Sequence, residues 1–407
     1  MATGSNNVLI IGAGGVGSAV THKCAQHSDE LGDICLASRT VAKCDDIVAA
    51  IHAKDNLKDR DAKLSTQRLD AKNIDAVVEL IHRTKSSTVL NAGSPHCNLA
   101  IIEACLRTGA HYLDTAVYEK EGDINVPPPW YANYEWKQRE AFSAAGVTGI
   151  LGIGFDPGAV NAFCAYVYKH LIDDIDSIDI MDVNAGDHGK YFSTNFDPEV
   201  NLREIMEDVL YWEDGEWVSI PCHSRSRSYD FPVVGEQKVF SMGHDELHSL
   251  SANIPARRME FWMGFSERYI SVFNVLNQLG LLSGDAVDVE GTPVVPLKLL
   301  KAVLPDPASL AAGYTGEVCI GCLVKGRSQG KAREVFIYST CDHADCYADI
   351  GAQAISYTTA VPLVAAALLV ARGDWNAAKL VNVEELDPDP FMALMPEVGL
   401  AWDIREG

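Results

Sequence analysis

The first residues in this chain whose types and spacing could do chemistry lie at a glycine turn. Asn7 to Val20 reads NVLIIGAGGVGSAV, and Gly12, Gly14 and Gly17 fit G-x-G-x-x-G between an apolar strand and a helix. Gly12 allows the tight turn, Gly14 lets the backbone approach a pyrophosphate, and Gly17 lets helix and strand pack closely. Gly15 and Val16 complete the turn. A diphosphate suits the helix N-terminus, where free N–H groups and the helix dipole favour an anion. Some turns of this spacing serve packing alone. Here strand, turn and helix come in the required order, and the next strand ends at the expected distance.

That next strand reads ICLASRT and ends in Ser38-Arg39-Thr40. Enzymes that bind NAD usually place an acid there, to accept hydrogen bonds from the adenosine ribose hydroxyls. A carboxylate would repel a 2′-phosphate, whereas an arginine pairs with it and hydroxyls donate to it. The plain alternative is a solvated loop arginine; the combination favours NADP as cofactor. Asp70 closes the third strand, where it would border the adenine. Asn91-Ala92-Gly93 closes the fourth on the nicotinamide side.

Holding these side chains requires alternating strands and helices, and the first 155 residues supply them. Strands are predicted at Val8–Ile11, Ile34–Ser38, Ser65–Leu69, Thr88–Asn91, Tyr112–Asp114 and Val147–Ile153. Helical patterns lie between them, as at Asp75–Ile81, Asn98–Thr108 and Tyr134–Ala145. Such alternation implies right-handed crossovers and a parallel sheet covered on both faces. From about Ile178 to Cys341 the strand patterns Ile178–Val183, Val318–Lys325 and Arg333–Ser339 follow one another or frame long helices, as in an antiparallel α+β domain. The expected fold class is α/β: a Rossmann-type doubly wound parallel sheet over 1–155, then an α+β substrate and dimerisation domain over 156–353. A helix at Ala354–Ala371 and a Pro-rich tail, together 354–407, are expected to return to the first domain. No internal repeat or low-complexity segment is present.

Composition narrows the function classes. The 407 residues carry a formal net charge of −23, spread along the chain. Such a surface repels nucleic acid and anionic membranes and suits a cationic ligand. Eleven cysteines, an odd number scattered through apolar segments, read as reduced thiols rather than a disulfide framework. Met1 to Asn7 has no basic region, so no signal peptide is expected. The longest apolar run, Ala360 to Ala371, is short for a bilayer and contains Pro362. A cytoplasmic protein with no membrane or nucleic-acid partner is the expectation.

Over nearly its whole length the chain resembles the saccharopine dehydrogenase-like reductases. The segments that carry the resemblance include GAGGVG at 12–17, ASRT at 37–40, NAGSPHCNLAIIEACLRTGAHYLDTA at 91–116 and GFDPGAVN at 154–161. Others are KYFSTNFDPEVNLRE at 190–204, HDELHSL at 244–250, FWMGFSERY at 261–269, CDHADCY at 341–347 and GAQAISYTTAVP at 351–362. The resemblance implies NADPH-dependent condensation of an amino-aldehyde, L-aspartate 4-semialdehyde, with a diamine, 1,3-diaminopropane or putrescine. The product would be carboxynorspermidine or carboxyspermidine, and the enzyme a homodimer. Two other readings stay open: a saccharopine-type reductase of lysine metabolism, which needs a further basic cluster for a second carboxylate, and a non-catalytic NADP-binding redox sensor.

Imine chemistry asks for an acid to expel water, a neutral amine nitrogen, and groups that hold a carboxylate and an ammonium. Ligands in such folds bind where sheet strands end, so Asp114 and Asp156 are the candidate catalytic carboxylates. As a helix N-cap before Pro157, Asp156 is equally ordinary. Asn161 on that helix is a substrate candidate. By family position Thr115 and Ala116 border the nicotinamide, and Lys190, Phe192, Ser193, Asn201 and Arg203 belong to a segment that approaches substrate; Arg203 reads equally as a carboxylate-binding group or as a surface helix arginine. No acid–base residue is singled out by sequence. Metal is not expected. Cys319-x-x-Cys322 falls on a strand, where positions three apart face opposite sides. His244 and His248 lack the glutamate of H-E-x-x-H, because Asp245 stands in its place.

Overall fold

Val8–Ile11 is apolar throughout and buried on both faces, which suits the centre of a parallel sheet. A computed structural model of the protein describes residues 6–121 and 126–407. Residues 1–5, over which no leader is expected, lie outside the described residues. The six strands are β1 (Val8–Ile11), β2 (Ile34–Ser38), β3 (Leu64–Arg68), β4 (Thr88–Asn91), β5 (His111–Asp114) and β6 (Gly149–Leu151). They form a parallel sheet in the order β6-β5-β4-β1-β2-β3. The order reverses at β1 and β4, so a crevice opens there at the strands' C-terminal ends. β6 is shorter than its apolar run predicts, because Gly152 takes φ +61° and turns the chain.

The second sheet uses β7 (Asp174–Asn184), β8 (Val209–Glu213), β9 (Glu216–Ile220), β10 (Ser226–Phe231), β11 (Gly235–Met242) and β12 (Ala256–Gly264). After a separate hairpin, β13 (Val287–Val289) and β14 (Thr292–Val294), it adds β15 (Glu317–Ser328) and β16 (Lys331–Asp342). It is not wholly antiparallel as expected: β7 and β12 pair in parallel, with Phe261 opposite Ile180. The long excursion between them supplies the crossover that a parallel pair needs. Along β7 the side chains alternate faces. Ile178 and Ile180 enter the main core, while Met181 and Val183 pack with Trp262 and Phe336 on the other face.

The helix Ala354–Arg372 is buried along most of its length between the two sheets, which explains why it is apolar all round. It is long and apolar enough to cross a membrane by composition, yet most of it lies inside the protein. The tail then adds β17 (Leu380–Asn382) beside β6, in parallel, and so returns to the first sheet. The last strand, β18 (Trp402–Glu406), goes on to pair with β16 of the second sheet. The C-terminal segment thus ties both sheets together.

Candidate active site

At the glycine turn, Gly12 has φ +115°, and a side chain on it would lie 2.6 Å from the Ala92 carbonyl oxygen beyond β4. One on Gly17 would lie 2.0 Å from the Gly12 oxygen. The helix Gly15–Gln26 therefore starts tightly against the ends of β1 and β4, with Val16 packed on the core. Gly14, exposed, caps it; no side chain caps the helix and no acid lies in its first turn. Its free N–H groups are open to an anion. Ser38 is half-buried at the tip of β2, and Arg39 and Thr40 are exposed beside it. Arg39 enters no salt bridge among the described residues. Asp70 is exposed past β3 and accepts the Lys72 N–H at 3.1 Å. These residues fit a dinucleotide whose diphosphate rests on the helix N-terminus and whose 2′-phosphate meets Arg39.

Beyond β4 a chain of side chains links three strand ends. Asn91 accepts the Gly93 N–H at 3.1 Å and donates to Asn98 Oδ1 at 2.8 Å. Asn98 in turn donates to Asp114 Oδ2 at 3.3 Å and to the Ala116 carbonyl at 2.8 Å. Asp114, only 1% exposed, also accepts from Tyr112 Oη at 2.7 Å and from the Gly152 N–H at 2.6 Å. Burial lifts its carboxyl to about 7 despite these bonds. Both its oxygens are engaged by protein, so Asp114 is a clamp between the ends of β5 and β6 rather than the catalytic group its strand-end position led us to expect. Thr115 and Ala116 follow it, half-buried, at the crevice edge. Thr115 and Thr359 both lie against Gly154.

Asp156 stands in the turn after β6, and charge reaches it from Asp182 near the end of β7 and from His244 and Glu246, in the segment His244-Asp245-Glu246 between β11 and the helix Leu247–Asn253. Glu204, on the helix Pro198–Met206, lies within reach of the charges of His244 and Asp245. Asp245 Oδ2 accepts the Val117 N–H at 3.2 Å, which fixes its segment beside Thr115 and Ala116. His244 Nδ1 hydrogen-bonds Glu246 Oε2, and the ring stacks on Phe261 with centroids 4.0 Å apart. Glu246 is fully buried, and its Oε1 has no other partner. Asp156, Asp182 and Glu204 have no side-chain hydrogen-bond partner among the described residues.

Electrostatics follow from this crowding. Burial and then the His244–Glu246 neighbourhood set Asp182, raised to about 7. Burial raises Asp245 to about 7 and Glu204 to about 8. Burial and the Asp182 charge push Asp156 well above the carboxylate range. Burial opposes charge on His244 as well, but Glu246, Asp156 and Glu204 outweigh it and hold the ring protonated well above the usual imidazole range. The cleft keeps protons at neutral pH and contains more acid than base.

Past Asp182 the cleft opens into a cavity of ≈ 170 Å³ whose walls include Phe192, Ser193, Asn201, Tyr269 and Tyr314. Three of the expected substrate residues thus come together. Phe192 stacks on Tyr269, centroids 4.9 Å apart, and Tyr269 Oη donates to Asn201 Oδ1 at 2.9 Å. Three others do not join them. Asn161 is buried and donates to Glu384 Oε2 at 2.9 Å and to Ser249 Oγ, while its Oδ1 accepts the Gly158 N–H; it secures the helix Ala159–His170. Arg203 lies outside the cavity wall, and its Nη2 pairs with Glu119 at 2.9 Å while its buried Nε has no partner. Lys190 is exposed outside the cavity wall.

The cysteine spacings resolve as packing. Cys319 faces the outer core of the second sheet and Cys322 the main core, on opposite faces of β15. His343 accepts the Ala354 N–H at Nδ1, which leaves Nε2 to donate to Asn184 Oδ1 at 3.1 Å. His248 lies stacked between Trp130 and Trp217, and burial lowers it to about 3, so it is neutral. Sequence reasoning rejected a metal at His244 and His248, read that segment as helix-start polar or substrate-facing residues without a catalytic role, and passed over Asp182 and Glu204.

A parallel dinucleotide sheet whose strand ends meet an acidic cleft, closed by a second sheet, defines a two-domain nicotinamide-dependent oxidoreductase. The chain belongs to the saccharopine dehydrogenase family: residues 8–150 match its NADP binding domain and residues 154–400 its C-terminal domain. It is similar to the carboxynorspermidine synthase of Vibrio alginolyticus, 52% identical over 400 residues, covering 98% of this chain and 97% of that one. It is 46% identical to the carboxyaminopropylagmatine dehydrogenase of a Synechocystis species, over 97% of this chain and 96% of that one. The apo saccharopine dehydrogenase (L-Glu forming) of Saccharomyces cerevisiae shares the fold, with a TM-score of 0.70 at 14% identity, over 98% of this chain and 99% of that one. The protein is an NADP-dependent oxidoreductase.

Proposed function

We propose that this enzyme condenses L-aspartate 4-semialdehyde with 1,3-diaminopropane or putrescine and reduces the resulting imine with NADPH, giving carboxynorspermidine or carboxyspermidine. The names of its relatives support the reaction. The observation that carries it to this chain is the cleft itself: three carboxyls without side-chain partners beside one imidazolium, at the strand ends where the nicotinamide side of the cofactor is expected.

The chemistry needs several proton movements. A diamine reaches the site as a dication, and one nitrogen must become neutral to attack the aldehyde. Asp156 or Glu204 accepts that proton from its ionised form, and the raised proton affinity of each favours the transfer. The amine then adds to the aldehyde carbon to form a carbinolamine. His244, protonated and held by Glu246, donates to the departing hydroxyl, so water leaves and an iminium forms. With NADPH held at the glycine turn and Arg39, its nicotinamide would supply the hydride that the iminium carbon needs. The sum is aldehyde, amine, NADPH and one proton to secondary amine, NADP⁺ and water.

A saccharopine-type substrate would bring an additional carboxylate, and the cavity wall offers only one guanidinium, Arg268. That scarcity of positive charge supports the diamine over the amino-dicarboxylate. We infer a homodimer acting in the cytoplasm. Val275, Leu279, Leu299 and Val303 are exposed and give a second copy an apolar face to cover. The decisive assay follows NADPH oxidation with aspartate semialdehyde across a panel of amines, with the product identified by mass. Turnover confined to short diamines supports the reading. Turnover only with aminoadipate semialdehyde and an amino acid replaces it with the saccharopine-type reaction. Tight NADPH binding with no turnover for any pair leaves the sensor.

A further inference from the structure

The reaction leaves one end of the diamine as an ammonium, and nothing above says where it goes. We propose that the cavity beyond Asp182 is the subsite for the distal ammonium of the amine substrate, with Asp182 and Ser193 as its polar floor and aromatic rings as its walls. This rests on the proposed reaction and adds the residues that select the amine.

Two side chains that line the cavity each carry a buried oxygen that the protein leaves unsatisfied. Ser193 lines it, is 5% exposed, and its Oγ is buried with no partner. Asp182 Oδ1 is likewise buried and unpartnered. Unpaired polar atoms in such positions are costly, so a ligand that satisfies them gains what they lack. Their chemistry is specific. A carboxylate oxygen accepts, a serine hydroxyl can accept, and an ammonium has three N–H donors to give.

The surrounding wall is already fixed by its own hydrogen bonds and does not compete. Asn184 Nδ2 donates to Tyr314 Oη at 2.8 Å, and Tyr314 Oη donates to Asn195 Oδ1 at 2.9 Å. Gln353 Nε2 donates to the Asn195 carbonyl at 2.8 Å. Tyr314 stacks on His343, which is neutral because burial lowers it to about 4. On the other side Phe192, Tyr269 and Phe265 stack in turn. Aromatic faces on both sides of a carboxylate suit an alkylammonium, since the methylenes pack and the charge is attracted to the rings. Arg268, exposed and set over Tyr191, is the one guanidinium among the described residues that line the cavity. The charges that act on Asp182 come from His244 and Glu246 instead.

The test compares the unmodified enzyme, Asp182→Asn and Ser193→Ala. Each is loaded with NADP⁺ and titrated calorimetrically with 1,3-diaminopropane and with propylamine, then assayed with NADPH and aspartate semialdehyde. Asp182→Asn should lower the diamine-to-propylamine ratio of kcat/KM by roughly 10–100-fold, the size of a lost charge-assisted hydrogen bond. Ser193→Ala should lower it in the same direction and by less. NADP⁺ affinity should be unaffected in both. Equal loss for both amines, or no change in the ratio in either variant, overturns the subsite. A rise in KM for aspartate semialdehyde with the diamine preference intact also overturns it, and gives the cavity to the amino acid's own ammonium. If the unmodified enzyme turns over no amine–aldehyde pair, the proposed reaction fails instead, and the calorimetric difference between the two amines still reads the subsite.

Discussion

Two carboxyls, buried Asp114 at the end of β5 and half-buried Asp182 near the end of β7, are raised to about the same value, about 7. Their surroundings differ. Asp114 takes hydrogen bonds from Tyr112, Asn98 and the Gly152 N–H, so the dinucleotide sheet has enclosed it. Asp182 keeps a buried oxygen with no partner and looks across a cleft to His244 and Asp156. A strongly shifted group is thus a poor guide to function by itself. What separates the two is whether the protein has already supplied the partner. The first region is finished without a ligand, and the second is short of positive charge until one arrives.

The largest effect expected from this contrast is at His244. Replacing it with Asn keeps a polar side chain but removes the proton, and kcat should fall by about 10²–10⁴-fold, the usual range for a lost general acid. The acidic group should disappear from the pH profile of kcat, and NADPH affinity should stay the same. Asp114→Asn provides the opposite case. It should reduce unfolding stability by about 1–3 kcal/mol, because a buried network loses an acceptor, yet leave the shape of that profile intact. An unchanged kcat in His244→Asn, or a reshaped profile in Asp114→Asn, breaks the comparison.

The same contrast explains what the sequence disclosed. The dinucleotide end is local: Val8 to Thr40 spans one strand–turn–helix–strand unit, and backbone geometry dictates its glycines. That made the turn, the parallel sheet and the approximate strand limits legible. The acid end draws on the turn after β6, on β7, on the helix Pro198–Met206 and on the segment before Leu247, and no local rule joins these. A signal was present in β7 all the same. Ile178, Ile180 and Asp182 share one face, and an acid that continues an apolar stripe into the core needs a reason. The parallel β7–β12 pair was hidden for a similar cause, since pairing across a long excursion leaves no periodic trace in either strand. That Arg203 and Asn161 lie outside the cavity wall was not legible either, because a sequence does not reveal that Glu119 and Glu384 reach them.

At the finished end, the cofactor's phosphate is the one partner that remains to be supplied. Arg39→Asp should weaken NADPH binding by about 10–100-fold, from the loss of charge-assisted bonds worth roughly 1.5–3 kcal/mol. NADH binding should fall far less, because its ribose carries no phosphate for the new carboxylate to repel. Equilibrium fluorescence titration with both nucleotides measures this, and an equal loss for both removes Arg39 from the 2′-phosphate site.

The smallest effect concerns stability, and it follows from leaving the cleft incomplete. Asp182 and Asp245 sit at about 7 and Glu204 at about 8, all raised from ordinary values of 3.8 or 4.5. A raised carboxyl binds its proton more tightly in the folded state. Its contribution is therefore complete below the unfolded value and is lost as pH rises through the folded one. The buried histidines His22, His248 and His343 are lowered to about 4, 3 and 4, so theirs grows as pH rises and is complete above about 6.5. Between pH 6.5 and 8 the carboxyl loss stands clear of that gain. The ligand-free enzyme should lose stability over this window, about 1–2 kcal/mol for Glu204 alone. Glu204→Gln should flatten the slope in calorimetric unfolding at several pH values. Adding 1,3-diaminopropane should restore stability at pH 8, since a cation pairs with the ionised cleft and binds only the folded state. Propylamine should restore less. If Glu204→Gln leaves the slope unchanged and the diamine gives no protection, the cleft is not short of positive charge, and the distinction between Asp114 and Asp182 loses its physical basis.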